Sequence, residues 1–154
     1  MIFVLTALSM MSIGQANAAE EIQFIDCHFS NSDNNDHVVI SMNDQQSGSF
    51  FYTTGIVDSG EEQNTGKLSL QRVEESKSTS LKKEYAEFSA KWNTSQDGSR
   101  MTIEFLFSMP KTLVFKASDA FKAELQTTIT DSAIAPLHSS DHLDCFARIY
   151  PKSK

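Results

Sequence analysis

Apolar and polar residues alternate one for one along most of this chain, and that period of two constrains its fold more than any other feature. Ile22–Phe29 sets Gln23, Ile25, Cys27 and Phe29 on one side. Val38, Ile40 and Met42 alternate with Val39, Ser41 and Asn43, and Leu68 and Leu70 alternate with Lys67, Ser69 and Gln71. Met101, Ile103, Phe105 and Phe107 alternate with Thr102, Glu104 and Ser108, with Leu106 as the exception. Leu143, Cys145, Ala147 and Ile149 oppose Asp144, Phe146 and Arg148. Each run is the signature of a strand with one buried and one wet face, and one-sided burial belongs to antiparallel sheets.

Three further stretches extend the pattern. Ser49–Val57 is rich in aromatic and β-branched residues, which favour strand. From Ser118 onward, Phe121, Ala123, Leu125, Thr127 and Ile129 alternate with polar neighbours, with a short helical turn possible at Ser118-Asp119. Ser80–Trp92 fits a helix as well as a strand, but Asp97-Gly98 downstream is a hairpin signal that wants a strand on each side. Polar stretches between the runs read as loops, among them Asn93–Ser99 and Asp131–Asp141. The expectation is all-β: one antiparallel sandwich or small barrel of about eight or nine strands, with at most one or two short helices.

Ile2–Met11 is an uncharged apolar run, broken by Gly14 and followed by Ala16-Asn17-Ala18. An apolar region, a helix breaker and small residues before a cleavage point describe a signal peptide over residues 1–18, although no basic residue precedes the run. A membrane span needs about 20 apolar residues, more than this run supplies, and nothing later in the chain approaches that length. Residues 19–154 then form a single exported domain, periplasmic or secreted. Its two cysteines, Cys27 and Cys145, survive cleavage, and an oxidising compartment allows them one intramolecular pairing. Closing so long a loop is worth up to about 5 kcal/mol in the chain-entropy model. The bond also makes the first and last strands neighbours.

Thirteen basic against 20 acidic side chains leave a net charge of −7. That argues against a nucleic-acid partner, which needs a basic footprint. Motifs for chemistry are weak. His138, Asp141 and His142 combine metal-ligating types, but on a strand the two imidazoles would sit about 13 Å apart, and the stretch reads as a loop. Asp33–His37 resembles the start of a calcium loop, but Val38 occupies the position that needs glycine. Glu61-Glu62 and Glu74-Glu75 are adjacent pairs that a strand would send to opposite faces. Ser80 and Lys83 match Ser-x-x-Lys without its companion motifs. No cofactor is called for.

The chain instead concentrates aromatics. Phe50-Phe51-Tyr52 is the densest patch, with Phe50 and Tyr52 expected on the outward side, and out-facing Phe24 and Phe146 flank the cysteine strands. These four are the candidate contacts for a small apolar ligand or a protein partner. The leading expectation is an exported, non-catalytic β-domain that binds through loops, a cavity or this patch. The alternatives are a small exported hydrolase with a dispersed or metal-assisted site, or a protease-inhibitor or envelope-interaction protein.

Overall fold

In the computed structural model, residues 20–31, 36–55, 62–73, 84–96, 99–131 and 134–152 are described. Residues 1–18, read above as a signal peptide, together with Asp33 to Asn35, Glu61, Glu74-Glu75, Ser80, Lys83 and Asp97-Gly98, lie outside them. Among the described residues are nine strands: β1 (Glu21–Phe29), β2 (His37–Met42), β3 (Ser47–Gly55), β4 (Glu62–Asn64), β5 (Leu68–Arg72), β6 (Tyr85–Gln96), β7 (Ser99–Pro110), β8 (Ser118–Asp131) and β9 (Leu137–Pro151). One 3₁₀ turn, Lys111–Leu113, joins β7 to β8.

Consecutive strands pair antiparallel except β4 and β5, which lie end to end along one edge of β3, and β9 returns to β1. The sheet therefore closes as an eight-stranded up-and-down barrel, which abolishes its edges along the closed part of the wall. The expected choice between sandwich and barrel resolves to the barrel. Tyr85–Gln96 is strand throughout, and the Gln96–Ser99 pair brackets the hairpin signal at residues 97 and 98.

An eight-stranded barrel is just wide enough for side chains to fill it, and alternation decides which ones do. Ile25, Val38, Ile40, Met42, Phe50, Leu70, Phe88, Phe107, Met109, Leu125 and Leu143 point inward and are almost fully buried. Cys27 stands directly opposite Cys145, and the expected disulfide joins them inside the barrel at a Cα separation of 4.0 Å.

The lower end is plugged. Leu113, Val114 and Phe115 pack against the core beneath the barrel. Gln23, fully buried on the inner face, holds them: its Nε2 donates to the carbonyls of Leu113 and Lys116, and its Oε1 accepts the Phe115 N–H, each at 2.7 Å. Phe115 adopts φ of 59°, a conformation uncommon for a bulky residue, so the amide of Gln23 stabilises a turn the backbone alone disfavours.

Three expectations are corrected. Phe50 faces inward, because it pairs with Ile40 on one side and Leu68 on the other. A three-aromatic run has no alternation to set its phase, and a one-residue slip exchanges every face. Tyr52 shares that inner side, and Phe51 takes the outer one. The stretches expected as loops at Asn93–Ser99 and Asp131–Asp141 are largely strand, since β6 runs to Gln96 and β9 begins at Leu137.

Candidate functional site

Strand length, not any loop, creates the open end. β6, β7, β8 and β9 have 12, 12, 14 and 15 residues, whereas β1, β2, β3 and β5 have 9, 6, 9 and 5. β1 leaves β9 at the Phe29–Leu143 pair, and β5 leaves β6 at the Leu70–Ala90 pair. Above those points, β6 to β9 continue as a four-stranded sheet whose barrel-facing side has no opposite wall of equal height among the described residues.

That face is graded in rows. In antiparallel pairing, directly opposed residues share a face. Phe88, Phe107, Leu125 and Asp141 form the lowest row, and Ala90, Phe105, Thr127 and Ser139 the next. Above them lie Trp92, Ile103, Ile129 and Leu137, four apolar side chains in register across four strands. Thr94, Met101 and Asp131 form the rim. Trp92 and Ile103 pack on the core from above and remain half-buried, while Leu137 is 55% exposed. Tyr52 closes the opposite side, its ring 5.8 Å from Phe29 and 5.8 Å from Phe105. Burial first, then the nearby carboxylates of Asp36 and Asp141, push the Tyr52 hydroxyl up to about 12.

Comparison with protein-family models, curated proteins and solved structures finds no match.

The four aromatic candidates fall into two places. Phe50 belongs to the core and Tyr52 to the mouth. Phe24 and Phe146 face outward as expected, on the far side of the wall: Phe24 meets Tyr150 edge-on at 6.4 Å, and Arg148 lies 5.4 Å from the Phe146 ring. The four do not make one patch.

The metal-like cluster is divided by the same alternation. His138 and His142 are on the outer wall, opposite Thr128 and Glu124, and His138 Nδ1 lies 3.0 Å from Thr128 Oγ1. Asp141 is on the inner face. Among the described residues, no group of three or more His, Cys, Asp and Glu is placed to hold a metal ion. No helix among them is long and apolar enough to cross a membrane.

A second concavity, of about 760 Å³, lies on the outer wall of β5 to β8. Leu106 lies between Ser89 and Gln126 at its floor, with the Lys91–Glu104 ion pair (2.8 Å) to one side and the nearly buried Glu87 to the other. Leu106 is the residue that broke the alternation of its strand. Its outward position was therefore legible, whereas its neighbours across strands were not.

Proposed function

We propose that this chain is a non-catalytic binding module, exported and closed by its disulfide, that takes a small apolar ligand at the open end of the barrel. The observation that carries this reading is the row Trp92, Ile103, Ile129 and Leu137. Four apolar side chains in register, on a face the shorter strands leave uncovered, present one continuous apolar strip. With the lower part of the barrel filled by Phe50, Phe88, Phe107 and the disulfide, only the part above them is left for a ligand. Tyr52 contributes a ring and a hydroxyl held protonated at neutral pH, so it can donate a hydrogen bond to a polar end of the ligand. A disulfide suits an oxidising compartment, in keeping with export.

Trp92 is the chain's one tryptophan and so reports on the site. Titration with N-phenyl-1-naphthylamine, a neutral apolar dye, is expected to quench Trp92 emission saturably. Ile129→Asp, which puts a carboxylate in the middle of the row, is expected to weaken binding about tenfold or more, equivalent to about 1.4 kcal/mol. Equal affinity of wild type and a folded Ile129→Asp variant would overturn the assignment.

A further inference from the structure

We propose that the upper half of β6 is a docking edge for an extended polypeptide segment, added as an extra strand beside Lys91, Asn93 and Ser95. β5 pairs with β6 only from Arg72–Phe88 to Leu70–Ala90, and beyond Ala90 no strand among the described residues takes its place. The reason is local. Thr65 and Gly66 interrupt the β4–β5 line, with Gly66 at φ of 65°. Thr65 is held against Tyr52 by two hydrogen bonds, Thr65 N–H to the Tyr52 carbonyl at 3.0 Å and Tyr52 N–H to Thr65 Oγ1 at 3.2 Å. This bend keeps β4 on β3 and away from β6.

The orientation of the exposed backbone follows from one bond. The Val73 N–H donates to the Glu87 carbonyl at 2.8 Å, so odd-numbered residues of β6 direct their peptide groups toward the β5 side. Above β5, Lys91, Asn93 and Ser95 therefore present N–H and C=O groups outward along an edge of about 13 Å. Such a row recruits a strand by main-chain hydrogen bonding. The occupant is a single extended segment and not a folded domain, because β4 flanks the opening on its other side. The outer-wall groove begins at the same point, since Ser69, Ala90 and Lys91 line it, and it accommodates the residues that flank the added strand as they pass over Leu106. Inward side chains of the added strand would lie beside Trp92. The proposal goes beyond the apolar-ligand reading and does not require it.

The test is selection of random linear heptapeptides displayed on phage against the full chain, followed by synthesis of the enriched sequence. The expected sequence alternates apolar and polar residues. N-methylation at every second residue is expected to weaken binding about tenfold or more, the loss of one or two main-chain hydrogen bonds, and N-methylation at the intervening residues to leave it unchanged. In the protein, Asn93→Ala is expected to retain binding and Asn93→Pro to lose it. The Asn93 N–H does not pair with β7, so a proline there spares the β6–β7 ladder. If Asn93→Pro fails to fold, the N-methyl series on wild type still decides. No enrichment, an N-methyl pattern without period two, or loss on Asn93→Ala would overturn the proposal. So would a homodimer that Asn93→Pro dissolves, which would assign the edge to a second copy. Peptide binding that survives failure of the naphthylamine titration supports this proposal while removing the apolar-ligand reading.

Discussion

Replacing Gln23 by Leu removes the side chain that hydrogen-bonds the lower plug to the barrel, and the structure sets the expected cost. Three hydrogen bonds of 2.7 Å are lost, to Leu113 O, Lys116 O and Phe115 N–H. Each is worth about 0.5–1.5 kcal/mol net, and each buried partner left unsatisfied costs about 1–3 kcal/mol. The plug lies at the barrel end, where water can reach some of the stranded groups, so the sum falls near 3–4 kcal/mol, a large share of the roughly 5–15 kcal/mol by which domains are stable. Urea unfolding followed by Trp92 fluorescence is the assay. With m of about 1–3 kcal/mol/M, the midpoint should drop by between about 1 and 4 M. Hydrogen exchange supplies the local readout, because the Phe115 amide should lose its protection while core amides such as that of Phe107 keep theirs. A loss below about 0.5 kcal/mol, the level of ordinary surface substitutions, would refute the reasoning. Unchanged protection of Phe115 would do the same.

Three other perturbations probe different parts of the wall. Phe50→Ala should cost about 3–5 kcal/mol, as for a fully buried ring, measured in the same urea series; a cost below about 1 kcal/mol would put Phe50 outside the core. Exchanging both Cys27 and Cys145 for Ala should destabilise by about 2–5 kcal/mol, since the native bond closes a loop of 118 residues. In the folded protein Tyr52 should ionise near 12, because its neutral form is favoured. Its contribution to stability is then complete below pH 10 and lost as the pH rises through about 12. Tyrosinate absorbance at alkaline pH checks this, and Tyr52→Phe should remove that step alone.

The filled part of the barrel was legible because its two faces contrast. Ile25 beside Asp26, Leu125 beside Gln126 and Leu143 beside Asp144 each state which side is inside, and the structure agrees with all three. Contrast fails where the interior is wet. Ser139 and Asp141 face inward at the mouth, and His138, Ser140 and His142 face outward into water, so both sides of β9 are polar there and the stretch reads as a loop. The same holds for Asn93 to Ser95. The short run Phe50-Phe51-Tyr52 fails for the opposite reason, since all three are aromatic and either phase fits. Gln23 was visible as a polar residue on a buried face. Its partners lie 90 to 93 residues away in the chain, so nothing local names them.

The candidate site is harder to read for a reason that goes beyond contrast. Trp92, Ile103, Ile129 and Leu137 sit in four separate strands, and each one alone is an ordinary inward-facing apolar residue. They become a strip only through register, which depends on how each hairpin closes, and among the described residues no strand stands opposite them because β1 and β5 end sooner than their neighbours. Neither property belongs to any single stretch of sequence. The edge of β6 has the same origin: Lys91, Asn93 and Ser95 look like any wet strand face until the β4–β5 line is seen to break at Thr65 and Gly66. The surfaces proposed for binding therefore arise from differences in strand length imposed on a uniform alternation. Substitutions that lengthen β5, such as extending its pairing with β6 past Leu70 by replacing Gly66 with a residue that disfavours positive φ, are expected to close the peptide edge while leaving the filled core intact.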